Sequence, residues 1–211
     1  MTLPTSGLIT INNRGARAAT TFGSVAAAGG NMVFIKKLTA SSSGTLSFVD
    51  GASSVVLDST YKEYLFTFKN IHLAENTPFS FQVNTVGASG FNETISSTSF
   101  FHRQGESGAN DQLAYSSAND QAEGTAFNRL ATDQGTGNDE NLGGFLHLFN
   151  PASTTFVKHF ISNCQAAQAS AHSMNRLAGG YINTTAAIDE IQFKAESGNI
   201  DAGDICLYGI A

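Results

Sequence analysis

Aromatic residues recur at every second position through parts of this chain, and that spacing limits what it can fold into. Tyr64, Phe66 and Phe68 alternate with Glu63, Leu65 and Thr67 across residues 61–70. Phe79, Phe81 and Val83 repeat the pattern just after Pro78. Successive side chains of an extended strand point to opposite faces, so a period of two lines one face with rings. Further strand-like runs follow at 94–102, 112–116, 145–150, 155–164, 178–184, 187–195 and 204–210. Together with 45–57 they give nine or ten strands in about 165 residues. Helix signals are poor by comparison. Residues 165–177 are Ala-rich without a continuous apolar stripe, and 119–130 hold at most a turn.

Many moderate strands joined by Gly, Asn and Ser turns predict an all-β fold, an antiparallel β-sandwich of jelly-roll type. The 16 Phe residues suit the gap of about 10 Å between two facing sheets. An immunoglobulin-like sandwich fits less well, because the chain lacks a Cys…Trp…Cys pattern.

Composition narrows the partners. Ser, Thr, Asn and Gly make up 80 of the 211 residues, while charged residues are only 13% and the net charge is −6. An acidic chain without a basic cluster argues against nucleic acid. No run of about 18 apolar residues occurs, so no membrane insertion is expected. Residues 1–13 lack a basic region followed by an apolar stretch, so synthesis in a reducing cytoplasm is the expectation. Cys164 and Cys206 sit in apolar runs and read as free buried thiols, with a single bridge left open.

The first 44 residues differ from the rest. They carry Arg14, Arg17, Lys36 and Lys37 and no acidic residue. Leu8, Ile9 and Ile11 form a short apolar patch, and Ser41-Ser42-Ser43-Gly44 reads as a linker. Residues 1–44 are therefore expected to be an extended N-terminal docking arm, with 45–211 as the sandwich domain. Leu8, Ile9, Ile11, Arg14 and Arg17 are the candidate partner-docking residues, adding a strand to the sheet edge of a neighbour. Residues 32–38 could be a second short strand, and the competing reading has the arm packed on its own domain as an extra edge strand.

A search for chemistry finds little. Gly105-Glu106-Ser107-Gly108 lacks the spacing of a nucleophile elbow, and no phosphate-cradling loop occurs. His72, His102, His147, His159 and His172 are scattered singly; His147 and His159 lie among apolar residues and read as packed or interface histidines. The loop 133–140 has Ca²⁺-type oxygen ligands without EF-hand spacing and reads as solvated. Glu106, Asp111, Asp120 and Glu123 are spread through long loops, where a glycosidase pair would have to be assembled in space. No catalytic residue, metal or cofactor is expected. Residues 103–144 form a long polar insertion with one strand, 112–116, and Tyr115, Phe127 and Leu130 to bury. In the final run Ile205 and Leu207 face one side, and Cys206, Tyr208 and Ile210 the other. A strand apolar on both faces lies mid-sheet or at a subunit interface, so Ile205, Leu207, Tyr208 and Ile210 are core or oligomer-interface candidates. A homo-oligomer, a trimer by closed symmetry, is expected.

Two stretches carry a resemblance. Leu3-Pro4-Thr5-Ser6-Gly7-Leu8-Ile9-Thr10-Ile11-Asn12 resembles the leader of many tailed-phage virion proteins. Residues 198–210 resemble the final strand of virion structural proteins from marine cyanophages and related phages, and Tyr61-Lys62-Glu63-Tyr64, residues 149–155 and Gly179-Gly180-Tyr181 sit where that family has similar segments. The resemblance implies a non-enzymatic protein on the outside of a bacteriophage virion, contacting other virion proteins. A tail- or fibre-associated role in host attachment, with a host-surface glycan as a partner, is the first expectation. Capsid decoration is the alternative, and a polysaccharide-cleaving enzyme the third.

Overall fold

The computed structural model describes residues 31–211, and all statements of structure concern those residues. They form thirteen strands and no helix, so no helix is long and apolar enough to cross a membrane. The strands are β1 (Met32–Thr39), β2 (Leu46–Val49), β3 (Glu63–Leu73), β4 (Thr77–Thr85), β5 (Ile95–Gly105), β6 (Gln112–Tyr115), β7 (Gln121–Gly124), β8 (Asn128–Gln134), β9 (Leu142–Phe149), β10 (Lys158–Gln168), β11 (His172–Ile182), β12 (Ile188–Ala195) and β13 (Ile200–Ile210).

All pairings are antiparallel. A wide run takes the order β1-β13-β3-β9-β10-β11-β5, with β6 and β7 sharing the far edge of β5. A narrow run takes the order β8-β4-β12-β2. The two runs join through one residue pair, Gln168 of β10 opposite Gln134 of β8. The sheet then folds over, and the narrow run lies against the wide one.

Phenylalanine fills the space between the runs, as period two requires. Tyr64, Phe66 and Phe68 on β3 are buried on one face, as are Phe79 and Phe81 on β4. Phe193 of β12 is the hub. Its ring lies 5.3–6.4 Å from those of Phe48, Phe66, Phe68, Phe79 and Phe81. Phe81 meets Phe160 of β10 edge to face at 5.0 Å. Offset and edge-on arrangements of this kind add to the value of area burial.

Two expectations change here. The arm does not extend to residue 44. Met32–Thr39 pairs along β13, and Ile35 and Leu38 pack against the core. Thr39 Oγ1 donates to Asp204 at 2.6 Å and Lys37 Nζ lies 3.2 Å from the same carboxylate. Those two partners, the Thr39 bond first, hold Asp204 below the usual carboxylate range. The serine-rich segment is a tight connection rather than a linker. Ser43 and Ile200 exchange backbone bonds of 2.8 Å, and Ser42 takes a left-handed φ of 51°. The second change concerns 103–144. That stretch holds β6, β7, β8 and the start of β9, and β8 buries Leu130 and Ala131.

The Ala-rich segment 165–177 forms the end of β10 and the start of β11, an antiparallel hairpin. Only Leu46–Val49 of the expected 45–57 strand is extended; Val55 and Leu57 still reach the core through a turn closed by Leu57 N–H donating to Asp50 at 2.8 Å. A bulge bends β13 against β3 near Gly203, whose φ is +115°. A Cβ there would sit 2.6 Å from the carbonyl oxygen of Asn70, so only glycine fits.

Both cysteines are free and buried. Burial pushes the Cys164 thiol up to about 12, and burial likewise pushes the Tyr64 phenol to about 12. The Tyr64 hydroxyl donates to the Asp58 carbonyl at 2.8 Å.

Two measurements follow. Phe193→Ala removes the hub ring and should cost about 3–5 kcal/mol in urea unfolding, more than truncation of any half-buried aromatic. Stability should also fall at alkaline pH. An unfolded chain releases its thiol and phenol protons near pH 9 and 10, whereas the folded chain keeps both to about 12. Unfolding midpoints should therefore drop between pH 9 and 12, and Tyr64→Phe should lessen the drop; a flat profile over that range contradicts this reading.

Candidate functional site

The wide run has two faces, and only the inner one is covered by the narrow run. Its outer face carries successive rows of side chains set by strand register. One row runs from Phe34 of β1 through Tyr208, Leu65 and His147 to Ile161, Gly179 and Thr98. The next runs from Lys37 through Cys206, Thr67, Phe145, Asn163, Leu177 and Phe100 to Tyr115 of β6. A third holds Met32, Ile210, Glu63 and Phe149, with His159 and Tyr181 across it.

Aromatic and aliphatic groups on this face remain in solvent. Ile161 is 52% exposed, Leu177 42%, Phe100 47% and Phe34 56%. Rings meet one another along it: Phe34 with Tyr208 at 5.6 Å, Phe100 with Tyr115 at 5.2 Å, His159 with Tyr181 at 5.9 Å. His147 lies between Phe145 and Phe149 at 5.7 and 5.8 Å, with Nδ1 3.9 Å from Glu63. Across the three rows the formal charges are Lys37 and Glu63 alone. Single exposed apolar residues are ordinary, but a contiguous apolar sheet face marks an interaction surface.

The C-terminal candidates divide between the two faces. Ile205 and Leu207 are core residues, while Tyr208 and Ile210 are partly covered on the outer face. β13 lies between β1 and β3, so its two apolar faces are those of an interior strand. Leu8, Ile9, Ile11, Arg14 and Arg17 lie outside the described residues. Of the histidines, His147 and His159 are on the outer face. His72 contacts the Gly137 carbonyl at 3.2 Å and Asp201 at 3.7 Å, and His172 pairs with Ser170 at 2.8 Å. Among the described residues no three His, Cys, Asp or Glu side chains come together as a metal-holding group. In the loop 133–140 Glu140 turns back to accept the Gly137 N–H at 2.7 Å. Asp120 accepts from the Tyr115 hydroxyl, and Glu123 accepts from Asn183 at 3.1 Å.

A second, interior feature lies where β8 faces β10, β11 and β5. Arg176 is buried, and among the described residues it has no ion pair. Its guanidinium donates to Ser99 Oγ at 2.8 Å and Thr132 Oγ1 at 2.9 Å, with the Phe101 ring 5.7 Å away. Desolvation lowers its pKa, with Asp133 as the first opposing influence. Gln168 donates to the Thr132 carbonyl at 3.0 Å, and Gln134 to that of Ile71 at 2.6 Å. Lys158, also buried, donates to the carbonyls of Thr184 and Ala186 and closes the turn before β12. Desolvation lowers its pKa too.

Sequence reasoning missed Phe145, Ile161, Leu177 and Phe100 as surface residues. The signal was present in Phe145-Leu146-His147-Leu148-Phe149, which is apolar on both faces. No family model, curated protein or solved structure matches this chain.

The Arg176 cluster makes a test of the interior. Thr132→Val leaves a buried cation short of an acceptor and should destabilise by about 1–3 kcal/mol. Arg176→Met removes the desolvated charge and should be near neutral. Combined with Arg176→Met, Thr132→Val should cost little; an undiminished cost would place its effect elsewhere.

Proposed function

We propose that this chain is a non-enzymatic structural protein on the exterior of a tailed-phage virion, tail- or fibre-associated and contributing to host-surface attachment. The structural support for the reading begins with strand order. Set aside β5–β7 and β10–β11 as insertions and count the remaining eight strands in chain order. The wide run then reads 1-8-3-6 and the narrow run 2-7-4-5. That is the order of a jelly roll, in which two Greek keys wrap around one another, and we read the architecture as a jelly-roll sandwich.

Jelly rolls serve in virus shells and in lectins, and architecture by itself does not give a role. The resemblance of residues 3–12 and 198–210 to virion proteins supplies the second support. The outer face of the wide run supplies a third, because a virion component needs surfaces on which copies and neighbours pack. The two insertions widen that run by β10, β11 and β5.

The test is position on the particle. Gold-labelled antibody against this chain should decorate the tail or fibres of the virion. Label over the head would favour capsid decoration, and particles without label would overturn a virion role. Incubation with host polysaccharide should produce no new reducing ends; their appearance would overturn the non-enzymatic part.

A further inference from the structure

We infer that the outer face of the wide run is a self-association surface whose occupant is a second copy of this chain, packed face to face about a two-fold axis. The inference does not depend on the virion role.

Size comes first. The face spans eight strands from β1 to β6. The three rows hold 21 positions, each about 4.8 Å by 7 Å. Roughly 700 Å² per copy is close to the ~800 Å² that each partner contributes to a stable interface.

Chemistry comes second. The centre of the patch holds Phe145, Ile161, Leu177 and Phe100 and no formal charge. Interface cores are depleted in charge and rich in aromatic groups. A partner of opposite charge has nothing to pair with there, whereas an identical neutral face meets no like-charge repulsion.

Shape decides between a second copy and other apolar partners. Gly179 lies directly opposite Ile161 in the β10–β11 pairing. Gly179 forms the floor of a shallow trough of about 400 Å³, edged by Ser96, Thr98, Ala122 and Tyr181. A protruding side chain therefore stands beside a recess, with its own Cγ1 4.0 Å from where a Gly179 Cβ would lie. A two-fold axis between them lowers Ile161 of each copy onto Gly179 of the other. An isologous contact needs that self-complementarity of one patch. This patch supports a two-fold pair, whereas the C-terminal strand and the low charge led to the expectation of a trimer.

Gly179 also provides the variant. A Cβ built on it meets nothing nearer than the Phe160 carbonyl oxygen at 3.7 Å, an ordinary contact. A Cβ on the neighbouring Gly180 would lie 2.3 Å from the Ser96 carbonyl oxygen. Gly179→Thr therefore raises the floor of the trough from a Cβ position that the fold accommodates, and Gly180 is left untouched.

Sedimentation equilibrium of the full chain between 0.1 and 100 µM reads the outcome, with near-ultraviolet circular dichroism to show that each variant is folded. The wild type should sediment as a dimer at micromolar concentration. Gly179→Thr and, independently, Leu177→Asp should weaken association at least 30-fold. Val86→Asp, exposed in the turn after β4, should leave it unchanged. A wild type that stays monomeric at 100 µM overturns the inference. A trimer, or a dimer unaffected by both folded variants, also overturns it by placing association on another surface.

Discussion

The ring of Phe193 touches five other phenylalanines, and through them it couples both runs of the sheet. The rest of the structure depends on that contact. Two facing layers lie about 10 Å apart, a gap that large side chains from both sides must fill. Phe48 comes from β2, Phe66 and Phe68 from β3, Phe79 and Phe81 from β4, and Phe193 from β12. Strands far apart in sequence are thereby fixed in register, since a slip of one residue would turn every ring to the other face. A chain without tryptophan meets this requirement by repeating phenylalanine.

The aromatic layer cannot extend under the whole wide run. The narrow run is four strands across, and the wide run is about twice that. Beyond β8 the inner faces of β11 and β5 overhang it. The residues change there. Ser97 donates to Asn128 at 2.8 Å, and Arg176 reaches Ser99 and Thr132. On the other face of β4, alternating with the inward Phe81 and Val83, the buried Gln82 side chain donates to the carbonyls of Glu93, Thr125 and Ala126, tying in the segments around β7. Polar pairing costs little where each group finds a partner, and it fixes geometry that apolar packing leaves loose. The buried Arg176 is placed at the boundary between the ring-filled layer and this polar edge.

That boundary explains what the sequence disclosed and what it concealed. β3 and β4 are legible because their buried positions are aromatic and their exposed ones are not. β8 is not legible, since its inward positions include Asn128, Thr132 and Gln134, so alternation of polarity disappears although alternation of burial persists. β1 reads as part of the arm because residues 1–44 carry basic and no acidic residues and end in a serine-rich run. Its register also shifts by one at a bulge between Phe34 and Lys36, which breaks the pattern. The polar insertion was visible as a departure from strand spacing, but its partner strands were not. β5 adjoins it and takes up β6 and β7, but β4 and β10, the partners of β8, lie outside it on either side, and the loops carry no period that names them.

The outer face was hidden for the opposite reason. β9 reads Phe145-Leu146-His147-Leu148-Phe149, and either set of alternating residues could have been the buried one. Period two identifies two faces and cannot say which faces inward. The choice falls to packing. Leu146 and Leu148 fit among the rings of the narrow run, and the larger Phe145, His147 and Phe149 are turned outward. A solvated sheet face normally alternates to polar residues, because water gains nothing from rings. Here the centre of the outer face carries Phe145, Ile161, Leu177 and Phe100 beside Asn163 and His147, with no formal charge among them. Such a distribution is stable in water only where the apolar area is bounded and matched by an equally flat partner, which is the condition that a sheet face with one empty glycine position beside one protruding isoleucine satisfies.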